Sequence, residues 1–388
     1  MNQHMRCCPV CSGDRTVPLH LNTLATLDGL DMSYRVARCA SCDFVFADQL
    51  PSPATYAAYY RSLSKYDIAP DGSKLSVADR LRCDAAVAVL RPHTKPEARI
   101  ADLGCGSGIL LGALRAAGWS CLAGIDPAPG APEQARQQFK LDCVRCGTLD
   151  QAATLLDLAA MDVICLTGVL EHLPQVHEDL EALAAAIGHD TRILVEVPAL
   201  ERFAHHAFEP HGEFSLEHIQ YFSAESLKGF FEKLGFTALS STIVDLPPGT
   251  CDSLFGLFAR GPATKARSAP TATSDGIEDY IARSEAMTRT AVARITACPA
   301  KALVIYGAGS HTARLLPRLL AAGESRLAGL VDSNPNLREK HLGPLLIEAP
   351  EALDRHPDAT IVVSSFRAQQ TISDALRASR SNPVLTLY

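Results

Sequence analysis

Apolar positions in the middle of the chain alternate between short strand-like runs and longer runs at helical spacing. The first helical pattern, KLSVADRLRCDAAVAVLRP, begins near residue 75 and stops at Pro92. Beyond it come strand-like ARIADLGCG, SCLAGID, MDVICLTGVL and TRILVEVP, separated by helical ILLGALRAAGW, APEQARQQF and HEDLEALAAAIG. Strands that alternate with helices at these lengths predict βαβ units and therefore a parallel, doubly wound α/β sheet.

The alternation restarts in the last third of the chain. The stretch GPATKARSAPTATSD at 261–275 has no apolar periodicity and is typical of a linker. It is followed by helical IEDYIARSEAMTRTAVARI, by the strand, glycine turn and helix of KALVIYGAGSHTARLLPRLLAAG, and by strand-like SRLAGLVDSNP, ATIVVSSF and PVLTLY. This pattern predicts a second, smaller α/β domain of Rossmann-like type. The predicted parts are a cysteine-bearing module at 1–50, a helical segment at 51–95, an α/β domain at 96–262, a linker at 263–275 and the second α/β domain at 276–388.

Composition excludes some partners. The 388 residues carry a formal net charge of −7, whereas nucleic acid binding requires a basic surface. No apolar run approaches the roughly 20 residues needed to cross a bilayer, and the polar start MNQHMRCCPVCSGDR is unlike a secretory signal. We therefore expect a cytoplasmic protein that binds neither nucleic acid nor membrane. Composition leaves the choice between monomer and homodimer open.

Thirteen cysteines occur in the chain, and spacing separates four of them from the rest. Two C-x-x-C pairs, Cys8 with Cys11 and Cys39 with Cys42, lie near one terminus. Such pairs supply four thiolates in the tetrahedral arrangement of structural zinc, although a redox pair or unliganded thiols are alternatives. Cys7 is a spare thiol. We expect the remaining cysteines to be packed as small apolar residues: Cys83, Cys121, Cys143, Cys146, Cys165, Cys251 and Cys298.

A glycine-rich turn follows the first predicted strand of the larger α/β domain. In IADLGCGSGILL, Gly104, Gly106 and Gly108 come directly before a helix. The third glycine is one residue too early for a pyrophosphate fingerprint, and Asp102 beside the turn suits an amino group better than a phosphate. Asp126, at the end of the next strand, can bind two ribose hydroxyls. A positive amine and a ribose without phosphate describe S-adenosylmethionine.

The motif DLGCGSG resembles that of the class I S-adenosylmethionine-dependent methyltransferases, over about residues 96–260. The resemblance places the glycines under the methionine part of the donor, Asp126 on the ribose, and the loop CGTLD near the adenine. The expected donor contacts are Asp102, Gly104, Cys105, Gly106, Gly108, Asp126, Thr148 and Leu149. A structural glycine turn or a nicotinamide site are the alternatives.

The whole layout also resembles a narrower group, the sugar C-methyltransferases that act on nucleotide-linked keto-sugars. These proteins join a four-cysteine zinc module, a class I methyltransferase core and a C-terminal Rossmann-like domain in this order. The matching pieces are the four cysteines, DLGCGSG, EHIQYFS and IYGAGSHT. The resemblance implies methyl transfer to a carbon next to a ketone of a nucleotide-linked sugar.

The stretch EHIQYFS would then carry the catalysis. Methyl transfer to carbon needs a carbon nucleophile, made by removing a proton alpha to a ketone, and histidine suits that role because its pKa is near neutral. The resemblance makes His218 the base and Glu217 its orienting partner. One alternative remains, in which Glu217 caps the following helix and His218 is a hydrogen-bonded core residue.

The resemblance places the main sugar contacts in one further stretch. YYRSLSKY at 59–66 would supply Tyr60 and Ser64, and Tyr221 is a further candidate that could equally pack inward. The better-known members carry a tyrosine two residues before the Glu-His pair, where this chain has Ser215. The exact sugar and the methylated position therefore stay open.

Other histidines allow further interpretations. His205, His206, His211 and Glu213 could form a second metal site, but their spacing matches no standard ligand pattern. A second Glu-His pair in LTGVLEHLP, Glu171 and His172, is interpreted as structural or as supporting the residues that contact the ligands. The rival functions are a small-molecule O- or N-methyltransferase and a binding protein with a decayed site.

The second glycine turn, VIYGAGSHTARLL, has Gly307 and Gly309 but Thr312 in place of a third glycine, with Asp332 further on. This is a weak dinucleotide signature, which could indicate a fused oxidoreductase. The resemblance implies instead that the domain shapes the nucleotide–sugar cleft without a redox cofactor.

Overall fold

A computed structural model describes residues 4–52, 54–56, 75–205, 209–215, 217–261 and 273–388. Its strands are β1 His4–Met5, β2 Thr16–Asn22, β3 Tyr34–Cys39, β4 Val45–Leu50, β5 Arg99–Leu103, β6 Cys121–Asp126, β7 Val144–Cys146, β8 Val163–Thr167, β9 Arg192–Pro198, β10 Gln220–Tyr221, β11 Phe236–Val244, β12 Ser253–Arg260, β13 Leu303–Tyr306, β14 Leu327–Val331, β15 His341–Leu342, β16 Leu345–Glu348, β17 Thr360–Val363 and β18 Val384–Thr386.

Nine α-helices lie within the described residues, and short 3₁₀ turns connect several of the strands to them. The α-helices are α1 Val77–Leu90, α2 Ile109–Ala116, α3 Ala131–Phe139, α4 Ala152–Leu155, α5 Val176–Ala186, α6 Ala224–Lys233, α7 Thr273–Thr296, α8 Ser310–Ala321 and α9 Gln369–Ser379. The helices predicted from periodicity at 75–92, 109–119 and 277–295 are confirmed by α1, α2 and α7.

The central sheet has seven strands in the order β11-β12-β9-β8-β5-β6-β7. Strands β5 to β9 are parallel, whereas β12 is antiparallel to both β9 and β11. The chain builds one side of β5 first and then returns to build the other, so the order reverses between β5 and β8. In open α/β sheets, ligands bind in the crevice at such a switch point, beyond the carboxyl ends of the strands.

The C-terminal sheet repeats this plan at smaller size. Its order is β15-β16-β14-β13-β17-β18, with β13, β14, β16, β17 and β18 parallel and β15 antiparallel. The switch point lies between β13 and β17. The predicted α/β class with a second Rossmann-like domain is confirmed by these two sheets.

The N-terminal residues form an antiparallel sheet in the order β1-β4-β3-β2. The short strand β10, from the other end of the central domain, pairs with β4 through Gln220 opposite Phe46 and Tyr221 opposite Val45. This pairing brings the stretch EHIQYFS against the N-terminal module.

Burial corrects two expectations about the cysteines. Cys83, Cys165 and Cys251 are buried as expected, but Cys121 and Cys146 are exposed. None of the described helices combines the length and the apolarity needed to cross a bilayer.

Candidate active site

The turn after β5 lies at the switch point of the central sheet. The backbone N–H groups of Gly104 and Cys105 both donate to the carbonyl of Ile125, at 2.8 and 3.0 Å, which ties the turn to β6. Gly104, Gly106 and Gly108 all have positive φ, of 84°, 51° and 82°. Only glycine adopts this conformation readily.

A side chain would be crowded at Gly104, closely packed at Gly108 and surrounded by open space at Gly106. A Cβ at Gly104 would lie 2.7 Å from Cγ2 of Val169, and one at Gly108 would lie 3.2 Å from Cδ1 of Leu141. A Cβ at Gly106 would meet no described atom within 4 Å. A ligand can therefore approach the backbone most closely at Gly106.

Asp102 is fully buried near the end of β5. No hydrogen-bond donor in the described part of the chain reaches either of its carboxylate oxygens. Burial, together with the nearby charge of Asp126, raises the pKa of Asp102 to about 8. A buried carboxylate without a partner fits a ligand that brings its own cationic amino group.

Asp126 is fixed by the backbone at the end of β6. Its Oδ2 accepts from the N–H of Gly106 at 2.7 Å, and its Oδ1 accepts from the N–H of Ala128 at 2.9 Å. Burial raises the pKa of Asp126, while these two hydrogen bonds oppose the increase. A carboxylate has about four acceptor sites, so an oriented Asp126 can still accept from the two hydroxyls of a ribose.

The remaining predicted donor contacts lie around the same crevice. Cys105 is buried, and a Cβ at Gly124 would lie 2.8 Å from its Sγ, so its thiol packs against the sheet and leaves only its backbone toward a ligand. Thr148 is exposed and caps the 3₁₀ turn that begins at Leu149, with Gln151 closing the capping box. Donor contacts through Thr148 and Leu149 stay predictions.

Two Glu-His pairs, far apart in sequence, converge beside this crevice. Glu171 and His172 lie on the 3₁₀ turn Leu170–His172 after β8, and the backbone N–H of Ile219 donates to the carbonyl of Glu171 at 2.8 Å. The rings of His172 and His218 make an edge contact with centroids 4.9 Å apart. Ligand atoms of Glu171, His172 and His218 lie within 4.8 Å of one another.

The first pair thus lies beside His218 within the candidate site, a contact that the sequence reasoning did not single out, and its interpretation as structural or supporting stays a prediction. The repeated Glu-His dipeptide, at the end of a strand that flanks the switch point, was the signal in the sequence. Nδ1 of His172 lies 3.1 Å from the carbonyl oxygen of Glu217. Because a carbonyl only accepts, Nδ1 carries the hydrogen and Nε2 is the basic nitrogen of neutral His172.

The backbone around Glu217 and His218 is held by hydroxyl groups. Oγ of Ser215 accepts from the N–H groups of Glu217 and His218, at 3.3 and 3.0 Å. The hydroxyl of Tyr221 donates to the carbonyl of His218 at 2.8 Å and lies 3.1 Å from the hydroxyl of Tyr34. Tyr221 is only 2 % exposed, so it packs inward, and a substrate contact by its side chain stays a prediction.

The structure decides the capping role considered for Glu217 but does not describe the predicted sugar contacts. Glu217 does not cap α6, because Ser223 does so by accepting from the N–H of Ser226. The predicted sugar contacts Tyr60 and Ser64 lie outside the described residues, in the gap at 57–74.

The suggested second metal group is not assembled as expected. His211 lies with His20 and Glu285, not with Glu213 or with His205, which bonds to Arg202; His206 lies outside the described residues. The rings of His20 and His211 stack at 4.3 Å. Burial lowers the pKa of His20 to about 4 and that of His211 to about 3. Arg318 already neutralises Glu285 with two hydrogen bonds of 2.7 and 2.6 Å.

The four N-terminal cysteines do come together. Sγ of Cys8 lies 3.6 Å from Sγ of Cys42, and Sγ of Cys11 lies 3.4 Å from Sγ of Cys39. A tetrahedral zinc with Zn–S bonds of about 2.3 Å separates its sulfurs by about 3.8 Å. A hydrogen bond with Cys42, and burial, raise the pKa of Cys8, while the same bond lowers the pKa of Cys42 to about 5. Four such thiols can all be deprotonated only around a cation, so the group fits zinc.

Known proteins match this chain mainly over the residues that form the central sheet. Residues 78–241 match the family model described as a methyltransferase domain. The tRNA U34 carboxymethyltransferase of Serratia proteamaculans (strain 568) is 32 % identical over 157 residues, which cover 37 % of this chain and 47 % of that protein. The chain thus spans about half the length of this curated relative.

Solved structures with likeness to the chain include two methyltransferases. The Burkholderia thailandensis 1,6-didemethyltoxoflavin-N1-methyltransferase, with bound S-adenosylhomocysteine, is 20 % identical at a TM-score of 0.42 and covers 57 % of this chain and 97 % of its own. The magnesium protoporphyrin IX methyltransferase of Synechocystis PCC 6803 is 18 % identical at a TM-score of 0.40, covering 53 % and 96 %. The middle of the chain is thus similar to a methyltransferase domain, and its central sheet has the order of a doubly wound α/β fold.

Proposed function

We propose that the protein is an S-adenosylmethionine-dependent C-methyltransferase. Its acceptor would be a carbon alpha to a ketone in a nucleotide-linked sugar. The observation that carries this proposal is the convergence of two Glu-His pairs at the edge of the donor crevice. Val169, whose side chain abuts Gly104, directly precedes the turn that holds Glu171 and His172. Acid–base groups and donor loop are therefore adjacent.

The donor would be held by the groups of the glycine turn. Asp102 is placed to pair with the amino group, Gly106 to pass beneath the ligand backbone, and Asp126 to accept from the ribose hydroxyls. When bound, S-adenosylmethionine supplies an electrophilic methyl group on a sulfonium. Holding that methyl against the acceptor carbon is worth about 7–11 kcal/mol in favourable cases.

The proton chemistry would fall to the paired histidines. His218 removes the proton alpha to the ketone, and Glu217 and His172 orient it or share the proton. A positioned base of this kind contributes roughly 10²–10⁴ in rate. The electron pair left on carbon would then bond to the methyl carbon as the methyl–sulfur bond breaks, the sulfur would leave as a neutral thioether, and the ketone carbonyl would re-form.

We also propose that Cys8, Cys11, Cys39 and Cys42 hold one structural zinc ion. The paired sulfur distances and the need for a cation among four clustered thiols support this assignment. A closed shell of four thiolates leaves no position open for a substrate. The metal would therefore stabilise the module and take no part in methyl transfer.

The test is mass spectrometry of nucleotide-linked keto-sugars incubated with the protein in D2O, with and without S-adenosylmethionine. We expect deuterium uptake without the donor and a gain of one methyl group with it. Both signals should be lost in His218→Ala and kept in His189→Ala, a control whose side chain is 85 % exposed. His172→Ala should reduce both signals without removing binding of the donor.

Other outcomes would assign a different chemistry. Methyl gain without exchange would indicate an O- or N-methyltransferase. If no keto-sugar reacts while the donor binds, the acceptor class is wrong, and RNA would be tried next because the curated relative is a tRNA enzyme. The net charge of −7 makes RNA the weaker candidate.

A further inference from the structure

One buried arginine of the C-terminal domain bonds to the central domain at two points. Arg314, on the second turn of α8, is 6 % exposed. Its Nη1 donates to Oε1 of Glu209 at 3.1 Å, and its Nη2 donates to the carbonyl of Phe214 at 2.6 Å. One planar guanidinium thus holds both ends of the segment 209–215, which immediately precedes the Glu217–His218 pair.

The N-terminus of α8 faces the same segment. The hydroxyl of Ser310 lies 3.5 Å from Oε1 of Glu209, so the carboxylate of the central domain lies where a helix N-terminus favours an anion. In a dinucleotide-binding domain of this plan, the phosphates take that position. Here the chain supplies its own anion.

Polar groups in the crevice of the C-terminal sheet are also engaged within the chain. His311 bridges Oγ of Ser364, at 2.8 Å, and the hydroxyl of Tyr388, at 2.7 Å. A Cβ at Gly307 would lie 2.9 Å from the carbonyl oxygen of Ser364, so this glycine is required by packing. Asp332 accepts from the N–H of Ala308 at 2.6 Å, which closes the turn.

Contacts from two other elements hold the same segment. The hydroxyl of Tyr280, on α7, accepts from the N–H of Glu213 at 2.9 Å. From the N-terminal module, Nδ2 of Asn22 donates to the carbonyl of Phe214 at 3.1 Å, and the hydroxyl of Tyr34 donates to the carbonyl of Ser215 at 2.7 Å. The segment is therefore fixed from both flanking domains.

We propose that the glycine-turn helix of the C-terminal domain is an intramolecular anchor for the segment 209–215, and that Arg314 is a positioning residue for Glu217 and His218. Only two residues link Arg314 to the Glu-His pair. Arg314 fixes the carbonyl of Phe214, and the hydroxyl of the adjacent Ser215 caps the N–H groups of the Glu-His pair. The effect on chemistry rests on the proposed function, whereas the effect on the segment does not.

Lysine cannot replace this arginine, because an ammonium is a single point of charge and cannot hold two acceptors in fixed directions. The test variant is therefore Arg314→Lys, which keeps the charge. Glu209→Gln is a second variant that keeps every backbone contact. The control is Arg380→Lys, in the same domain, where Arg380 pairs with Asp354.

The structural measurement is amide hydrogen exchange of the full chain, read over peptides that contain residues 209–221. We expect Arg314→Lys and Glu209→Gln to raise exchange there at least tenfold and to leave the peptides of β5 and the affinity for S-adenosylmethionine unchanged. Arg380→Lys should leave all of them unchanged. Unchanged exchange in both test variants would overturn the anchor.

The catalytic measurement uses the keto-sugar assay. Arg314→Lys should lower kcat by up to about 10²-fold, since misplacement of a reacting group by about 1 Å has that effect, while KM for the donor stays the same. Faster exchange with unchanged kcat would keep the anchor but overturn Arg314 as a positioning residue. If no keto-sugar reacts at all, the proposed function has failed, and hydrogen exchange still decides the anchor. Saturable binding of NADH or NADPH, lost in Gly309→Ala, would overturn the proposal.

Discussion

At the scale of single residues, the crevice beside the glycine turn 104–108 contains groups that lower the stability of the ligand-free protein. Asp102 has a buried carboxylate that no described residue neutralises. Gly106 has positive φ beside open space. Neither feature improves packing. A cationic ligand bound against the turn would explain both features, because it would pair with the carboxylate and fill the open space. Each feature leads to a separate prediction.

Asp102→Asn should stabilise the ligand-free protein and weaken the binding of S-adenosylmethionine. The carboxyl has a folded-state pKa of about 8 and an ordinary value of 3.8, so its ionisation lowers stability progressively as the pH rises from about 4 to about 8. Asparagine removes that loss. Between pH 7 and 9 the unfolding free energy should increase by about 1–4 kcal/mol.

Thermal unfolding from pH 5 to 9 measures this difference, and calorimetry measures donor affinity. The gain should shrink toward pH 5, because protonation of the native carboxyl costs less free energy as the pH approaches 3.8, the ordinary pKa that the carboxyl has in the unfolded chain. A variant that is less stable than the parent at pH 8 would contradict the assignment of Asp102 as an unpaired buried acid.

Gly106→Ala should separate ligand binding from folding. A methyl group there costs about 1 kcal/mol through positive φ and projects into the space the donor would occupy. We expect donor affinity to fall at least tenfold. Gly235→Ala, with φ 82° and also open around its Cβ, should lose similar stability and keep the affinity.

Gly104→Ala is the opposite case. Its Cβ would lie 2.7 Å from Val169, so crowding is added to the backbone strain and the unfolding free energy should fall by about 2–4 kcal/mol. Chemical denaturation of the three variants, beside calorimetry with S-adenosylmethionine, distinguishes these outcomes. Equal loss of affinity in Gly106→Ala and Gly235→Ala would place the donor elsewhere.

At the scale of elements, periodicity predicted the longer helices and most of the parallel strands. It missed the short parallel strands β7 and β16, the helices α4 and α9 and the described antiparallel strands. The buried strand β12 and the largely half-buried or exposed strand β11 have no regular alternation that distinguishes them from loop or helix. Strand β10 has two residues and exists because β4 offers it a partner. Such strands depend on their neighbours and have no local signal.

Helix α6 gives a prediction at this scale. Ser223 and Ser226 cap its first turn reciprocally, and the helix contributes Phe230 and Phe231 to the core. Ser223→Ala should cost about 1 kcal/mol of unfolding free energy. Ser379→Ala, at the exposed end of α9, should cost less than about half of that. Urea denaturation compares them, and an equal loss would contradict the capping role.

At the scale of the whole molecule, the three sheets share their apolar cores. One buried cluster joins Tyr34 of the N-terminal module, Phe214 of the central domain and Leu316 of the C-terminal domain. A second cluster packs Phe44 and Phe46 against Phe222. Disturbance of one sheet should therefore reach the others.

Cys39→Ser should show this coupling. Loss of a zinc ligand should remove the metal and lower the thermal midpoint of the whole chain, because Phe44 and Phe46 follow the second cysteine pair directly. Elemental analysis should find about one zinc ion per chain in the parent and less in the variant, whereas Cys121→Ser, at an exposed thiol, should keep it. Full zinc content in Cys39→Ser would overturn the four-cysteine site.

The local sequence was enough to predict the alternating helices and strands, the glycine turn with Asp102 and Asp126, and the grouping of four cysteines. Each depends on spacing within one strand–turn–helix unit or one pair of knuckles, where neighbours in sequence are neighbours in space. The meeting of Glu171 and His172 with His218, the inward packing of Tyr221 and the contact of Arg314 with Phe214 could not be predicted in this way. They join residues 46 to 187 positions apart along the chain, and such distances close only when separate sheets pack against one another.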